Sequence, residues 1–222
     1  MDYPRHYTID HYLKKVRSHR EPYTEGILGK EIIIFPGVMS PKYDRSSRIM
    51  ISLMPSQEGK DVLEIGSGTG IISLFCCFQG AKNITCLDIS EIAIKNTEAN
   101  FEKYNIKYAN VFLSDLFEEI DEKKFDTIIF NAPYHGNKAE DILELGTSDH
   151  NYETMKRFFK DAKKYLKKDG QILFGFANIG DNNLLKEVIK NNGYKIESLL
   201  TQENGDWTKY LYVITVGSST FF

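Results

Sequence analysis

The sequence is poor in the features that define secreted, membrane or nucleic-acid-coating proteins. Its three cysteines, Cys76, Cys77 and Cys86, are an odd set without metal-ligand spacing, which argues against a disulfide scaffold or a zinc site. They fall inside expected helix and strand and read as buried thiols of a cytoplasmic protein. No apolar run reaches the length that spans a bilayer, and the polar N-terminus does not read as a signal peptide. Neither sign of charge dominates. Lys and Arg number 28 against 31 Asp and Glu, so no global field draws the chain to nucleic acid, and such contact needs a local basic patch. Repeats and low-complexity linkers are absent too. What is there is 222 residues, 41% of them hydrophobic, enough for one domain with a large core.

Residues 1–30 carry the weakest pattern and are expected to form an extension to a domain spanning 31–222. Ile9, Leu13 and Val16 share one face of a short helix. Around them Arg5, Lys14, Lys15, Arg17 and Arg20 outnumber Asp2 and Asp10. That pattern suits a solvated helix packed on the domain edge, with a lid or docking arm as the alternative.

Glycine is concentrated where it can matter. In DVLEIGSGTG, residues 61–70, a short apolar run reads as a buried strand, and Gly66, Gly68 and Gly70 follow with one residue between each pair. Ile71, Leu74, Phe75 and Phe78 then recur at helical spacing up to a stop at Gly80. Strand, glycine turn and helix open a nucleotide-binding βαβ unit, in which a missing Cβ lets backbone lie against a ligand. The dinucleotide fingerprint is G-x-G-x-x-G. Here the spacing is G-x-G-x-G, with Glu64 two residues before the first glycine.

A second strand, NITCLD, ends in Asp88, 22 residues after Gly66. That is close to the roughly 20 at which an acid meets ribose hydroxyls in such units. A carboxylate suits the task because it accepts two hydrogen bonds from a vicinal diol. Ser90 is placed to cap the next helix, with Glu91 in its first turn. NVFLSDLFEEI gives a third strand ending at Ser114-Asp115, and Phe125 to Phe130 a fourth. Asn131-Ala132-Pro133-Tyr134 then sits at a carboxyl strand end, where open α/β sheets bind ligands.

The flanks complete the pattern. EIIIFPGVMSP, residues 31–41, reads as a short strand and a Pro-Gly turn. Ser46 or Ser47 is expected to cap a helix with Ile49, Leu53 and Met54 on one face. The polar loop from His135 to Asn151 is a candidate substrate flap, and His135 and His150 are candidate bases. Tyr152, Met155, Phe158, Phe159, Ala162 and Leu166 form one apolar helical face, with KKDG ending the helix. QILFGFA, KIESLLT and DWTKYLYVITV are the fifth to seventh strands, the last two joined by a hairpin at 203–206 after the helix LLKEVIKNNG.

The glycine turn with Glu64 resembles the first motif of class I S-adenosylmethionine-dependent methyltransferases. Asn131-Ala132-Pro133-Tyr134 resembles the N-P-P-Y tetrapeptide of the small-domain group, which includes ribosomal RNA guanine-N2 and release-factor glutamine methyltransferases. Gly37-Val38-Met39-Ser40-Pro41 and Asp44 to Ser47 fit that group loosely. Ala132 departs from the usual first proline. The resemblance implies a Rossmann-like α/β fold: seven mostly parallel strands, the last antiparallel, with helices on both faces. It implies S-adenosylmethionine as cofactor, held by Glu64, Gly66, Ser67, Gly68, Gly70, Asp88, Ile89, Asp115, Leu116 and Asn131, with Asp115 and the Leu116 backbone at the adenine. It implies methylation of a planar or amide-type nitrogen, in an RNA or DNA base or a protein glutamine. Asn131 and the Ala132 carbonyl would accept the two hydrogens of that nitrogen, Pro133 would stiffen the turn and Tyr134 would stack on the acceptor. A small metabolite is the alternative acceptor, and a non-catalytic scaffold of the same fold the second alternative.

Overall fold

The computed structural model describes residues 7–217, so what the sequence suggests for Asp2 and Arg5 lies outside the described residues. The first half contains α1 (Tyr7–Ser18), β1 (Tyr23–Ile27), β2 (Lys30–Ile34), α2 (Ser46–Leu53), β3 (Asp61–Ile65), α3 (Ile71–Phe78), β4 (Asn83–Asp88) and α4 (Glu91–Lys103). The second contains β5 (Ala109–Leu113), β6 (Phe125–Asn131), α5 (Glu153–Asp161), β7 (Leu166–Ala177), α6 (Asn182–Asn191), β8 (Tyr194–Asn204) and β9 (Trp207–Val216).

Seven strands pair in the order β5-β4-β3-β6-β7-β9-β8. From β5 to β7 the pairs are parallel, and β9 runs antiparallel to both of its neighbours. Strands buried on both faces need apolar residues at successive positions, and β3, β6 and β7 supply them. Leu63, Ile65, Ile128, Phe130 and Phe174 face a core closed by Met155, Phe158, Phe159, Leu185 and Ile189 of α5 and α6. Val62, Ile129, Leu173 and Leu211 face the other core, with Met50 and Ile51 of α2 and Ile72 and Leu74 of α3. Helices thus cover both faces, as expected. Strand order reverses between β3 and β6, the switch point at which such sheets open a crevice at their carboxyl ends.

Several local expectations need correction. Only one strand was legible around EIIIF, yet β1 and β2 form a hairpin in which Tyr23 pairs with Ile34 and Ile27 with Lys30, so strand pairing runs across residue 30. Its two-residue turn puts Leu28 and Gly29 at φ 49° and 78°; leucine is a poor left-handed residue, so the turn carries no usual signature. At the start of α2, neither Ser46 nor Ser47 caps with its hydroxyl; Asp44 Oδ1 accepts from the Ser46 N–H at 3.1 Å. Met54 lies beyond the helix in extended backbone, and Ile49 and Met50 are the buried face. Ser90 likewise makes no side-chain cap, and the Asp88 carboxylate takes the Ser90 N–H at 2.9 Å. KKDG does not end a helix. α5 stops at Asp161, a 3-10 turn follows over Ala162–Tyr165, and KKDG belongs to β7, where the register slips between the Phe125–Leu166 and Thr127–Gln171 pairs. Cys76, Cys77 and Cys86 are free and buried, as expected.

Two features bind the N-terminal residues to the rest. Ile9, Leu13 and Val16 of α1 pack with Leu143, while Arg17 Nη2 bonds Asp141 at 2.7 Å and the buried Glu144 at 3.0 Å. β2 meets α4 through two buried asparagines. Asn96 Oδ1 accepts from Phe35 N and Asn100 Oδ1 from Ile33 N, each at 2.8 Å, and both Nδ2 groups donate to the Ile33 carbonyl. No helix among the described residues is long and apolar enough to cross a membrane.

Candidate functional site

At the switch point the chain leaves β3 into three left-handed glycines: Gly66, Gly68 and Gly70 have φ of 68°, 56° and 72°. An L side chain is disfavoured at each, so the turn needs glycine. The Gly66 and Ser67 N–H groups donate to the Leu87 carbonyl, and Gly70 N to Ser67 O at 2.7 Å. Behind the turn, Thr97 Oγ1 of α4 donates to Gly68 O at 3.2 Å.

Asp88, at the end of β4, reaches back to this turn. Its Oδ2 accepts from Gly68 N at 2.8 Å and its Oδ1 from Ser90 N. Burial raises its pKa, an effect that these backbone donors oppose. Each carboxylate oxygen keeps capacity for a further donor. Glu64 is deeper still; its Oε2 accepts from Ser73 N at 3.0 Å, and burial pushes its carboxyl up to about 8. After β5, Leu116 has φ 53°, held by a Ser114 Oγ bond to its carbonyl at 2.9 Å. Asp115 pairs with Arg157 of α5 at 3.0 Å.

Across the crevice, β6 delivers Asn131 beside the glycine turn because Ile65 pairs with Phe130. One cavity is walled by Glu64, Gly66, Ser67, Gly68, Asp88, Ile89, Asp115, Leu116, Asn131, Ala132, Pro133 and Tyr134. Gly70 stands apart from these walls. A Cβ there would meet Thr97 Cγ2 at 2.7 Å and Thr97 Cα at 3.1 Å, so this glycine lets α3 and α4 approach closely. Tyr12 of α1, with Ile142, Leu143 and Leu145 of the 135–151 loop, also lines the cavity. Of the two candidate histidines, His135 is buried and His150 is exposed.

The most informative residue is one that the sequence reading missed. Lys209 of β9 is fully buried, and its Nζ donates to Asn131 Oδ1 at 2.7 Å. The same ammonium stands over the Tyr134 ring, 5.4 Å from its centroid. Burial pulls its pKa down to about 8, with Asp44 opposing the shift. The signal was present: alternation in DWTKYLYVITV puts Lys209 on the face of Leu211 and Val213, both of which belong to or pack against the α2-side core. On the other side, Asn131 Nδ2 donates to Ser46 Oγ at 3.3 Å, and Ser46 Oγ donates to Asp44 Oδ2.

Comparison with known proteins gives this geometry its context. Residues 30–197 match the methyltransferase small domain. A Methanocaldococcus jannaschii protein, provisionally named a protein N5-glutamine methyltransferase, is 34% identical over 178 residues, covering 77% of this chain and 88% of its own. The release factor glutamine methyltransferase of Fusobacterium nucleatum is 30% identical, covering 77% of this chain; this chain spans about half of it, 52%. Among solved structures, the T. thermophilus 16S rRNA N2 G1207 methyltransferase, in complex with AdoMet and guanosine, superposes with a TM-score of 0.64 at 22% identity, over 89% of this chain and 50% of that one. With a family match over most of its length, a switch-point cavity and a glycine turn of the expected spacing, the chain belongs to the methyltransferase small-domain family and is an S-adenosylmethionine-dependent methyltransferase.

Proposed function

We propose that the protein methylates a planar nitrogen, and that its acceptor is the side-chain amide of a protein glutamine. The observation that carries this is the presence of residues 131–134 in the wall that the glycine turn and Asp88 also line. The relative that is matched over 88% of its own length acts, by its provisional name, on protein glutamine.

The residues present fit the cofactor. A Cβ added at Gly68 meets no protein atom within 4 Å, which leaves room for a ligand against the backbone. The Asp88 carboxylate has capacity to accept ribose hydroxyls, and the left-handed Leu116 presents backbone beside Asp115 for an adenine edge. We assign Ser67 and Ile89 to the same pocket. Bound S-adenosylmethionine supplies a methyl group activated by a sulfonium.

An amide nitrogen has a delocalised lone pair and is a poor nucleophile. Asn131 Oδ1 and the Ala132 carbonyl accept its hydrogens, which orients it and places partial negative charge where positive charge develops. Pro133 restricts the backbone that presents this carbonyl, and Tyr134 packs against the flat acceptor. We read α1 (Tyr7–Ser18) as a lid, supported by Tyr12 in the cavity wall and the Arg17 contacts to the 135–151 loop. We place the protein in the cytoplasm, which suits its three buried free thiols.

A guanine-type amine is the second reading. It is favoured by Tyr134, an aromatic wall residue able to stack on a base. The test is tritium transfer from labelled S-adenosylmethionine into the protein, RNA and small-molecule fractions of a cell extract. Label recovered as N5-methylglutamine after hydrolysis supports the proposal, and label recovered only as N2-methylguanosine overturns it in favour of the second reading. Asn131→Ala should abolish transfer while S-adenosylmethionine still binds; retained transfer would remove Asn131 from the chemistry.

A further inference from the structure

Four side chains from three parts of the chain form one directional line. Lysine can only donate, so Lys209 Nζ fixes the atom it bonds as Oδ1 of Asn131, at 2.7 Å. Ser46 spends its hydroxyl hydrogen on Asp44 Oδ2, so towards Asn131 it can only accept, and it receives the Nδ2 donor at 3.3 Å. Both ends of the amide are therefore specified, and its flipped form would put two donors face to face at one end and two acceptors at the other. The line starts at a cation and ends at an anion. A cation at the oxygen end and an anion beyond the nitrogen end both favour the amide resonance form with more negative charge on Oδ1. Oδ1 has two lone pairs, of which Lys209 uses one.

Lys209 has no ordinary packing reason to be there. Its face of β9 belongs to an apolar core with Met50 and Leu211, where an aliphatic side chain would avoid the desolvation cost of a buried charge. Gly175, paired with Asn131 on the neighbouring strand, makes room for the arrangement: a Cβ there would stand 3.0 Å from Asn131 Oδ1.

We propose that Lys209, with Asp44 as its counter-charge, is a positioning residue that locks and polarises the Asn131 amide for the acceptor nitrogen. The proposal rests on the role given to Asn131 under Proposed function. Lys209 acts through Asn131 and needs no contact with substrate. Asp44, from the segment entering α2, and Tyr134, from the loop after β6, are the titratable groups that face Lys209 among the described residues, with Tyr12 of α1 next to Tyr134. Burial holds the Tyr134 phenol neutral, which leaves Asp44 as the charge that supports the ammonium.

The test compares wild type, Lys209→Met, Asp44→Asn and Asn131→Ala. Initial rates are read as tritium transfer from labelled S-adenosylmethionine into whichever extract fraction, protein or RNA, the wild type labels. Cofactor affinity is read by calorimetry and melting temperature by scanning. Lys209→Met should slow transfer by about 30-fold, on the scale of one lost bond to a charged donor. Its cofactor Kd should stay within about threefold of wild type and its melting temperature should not fall, since methionine suits the core. A purely structural lysine predicts the opposite split, with altered stability and an unchanged rate, and that result overturns the proposal. If Asn131→Ala keeps its rate, the role of Asn131 itself fails; if only Lys209→Met keeps its rate, the positioning role alone fails. An independent readout needs no acceptor. In protein labelled at lysine 13Cε, Asp44→Asn should move the Lys209 titration midpoint downward, and an unchanged midpoint means that the two ends of the line do not communicate.

Discussion

Gly68 and Gly70 are two residues apart in the same turn, yet alanine at each should fail in a different way. Both have left-handed backbone, which costs alanine about 1–2 kcal/mol. At Gly68 that is the whole cost to folding, because the new Cβ finds no protein atom within 4 Å. At Gly70 the Cβ would stand 2.7 Å from Thr97 Cγ2 and 3.1 Å from Thr97 Cα. The methyl can rotate away, but the Cα belongs to the backbone of α4, so overpacking adds about 1–3 kcal/mol. Gly70→Ala should therefore lose about 2–5 kcal/mol in all, or roughly 4–20 °C of melting temperature at this chain length. Gly68→Ala should lose about 2–8 °C but bind S-adenosylmethionine about tenfold or more weakly, since its methyl enters the cavity. Thermal scanning and calorimetric titration of the two purified variants measure both quantities. Equal melting temperatures would refute the close approach at Thr97. Unimpaired binding by Gly68→Ala would remove that glycine from the cofactor surface.

Two further perturbations report on the buried acids. Asp88→Ala should weaken S-adenosylmethionine binding by about 10–100-fold, the scale of lost bonds to a charged acceptor; unchanged affinity would deny it the ribose. Glu64 binds its proton more tightly folded than unfolded, its pKa being raised from 4.5 to about 8. Its stabilising contribution is then complete below pH about 4.5 and is lost as pH rises towards about 8, a change on the order of 5 kcal/mol. Between pH 5 and 7.5, urea midpoints should fall for wild type and change much less for Glu64→Gln. Parallel slopes would mean that Glu64 is ionised throughout.

Most of the sheet was legible because buried parallel strands write themselves as apolar runs, and DVLEI, NITCLD and FDTIIF do so between clear turn signals. The cavity walls were legible for a related reason: residues at carboxyl strand ends near a switch point converge whatever their separation in sequence. The β1–β2 hairpin was hidden by the Leu28-Gly29 turn. The helix starts were misread because the carboxylates of Asp44 and Asp88 bond the Ser46 and Ser90 N–H groups there, while the serine hydroxyls make no cap. KKDG looked like a helix stop because composition cannot separate a bulged strand start from a turn. Lys209 was the costliest omission. A lysine near the start of a strand reads as surface even on the face of Leu211 and Val213, until the packing of α2 against β9 covers it, and that packing is a long-range fact.

The asparagine pair on α4 has an effect beyond its own bonds. A hairpin beside a sheet ordinarily leaves an open rail of amides to which a stray chain can adhere. Asn96 and Asn100 finish that rail with side chains, so a helix stands in for a missing strand. Asn100 also donates to the Thr69 carbonyl at 2.9 Å, and Thr97 between the two asparagines holds Gly68. One turn of helix is thus a shared hinge pin for two parts that never touch in sequence, and a loosened glycine loop would be felt as fraying of the hairpin.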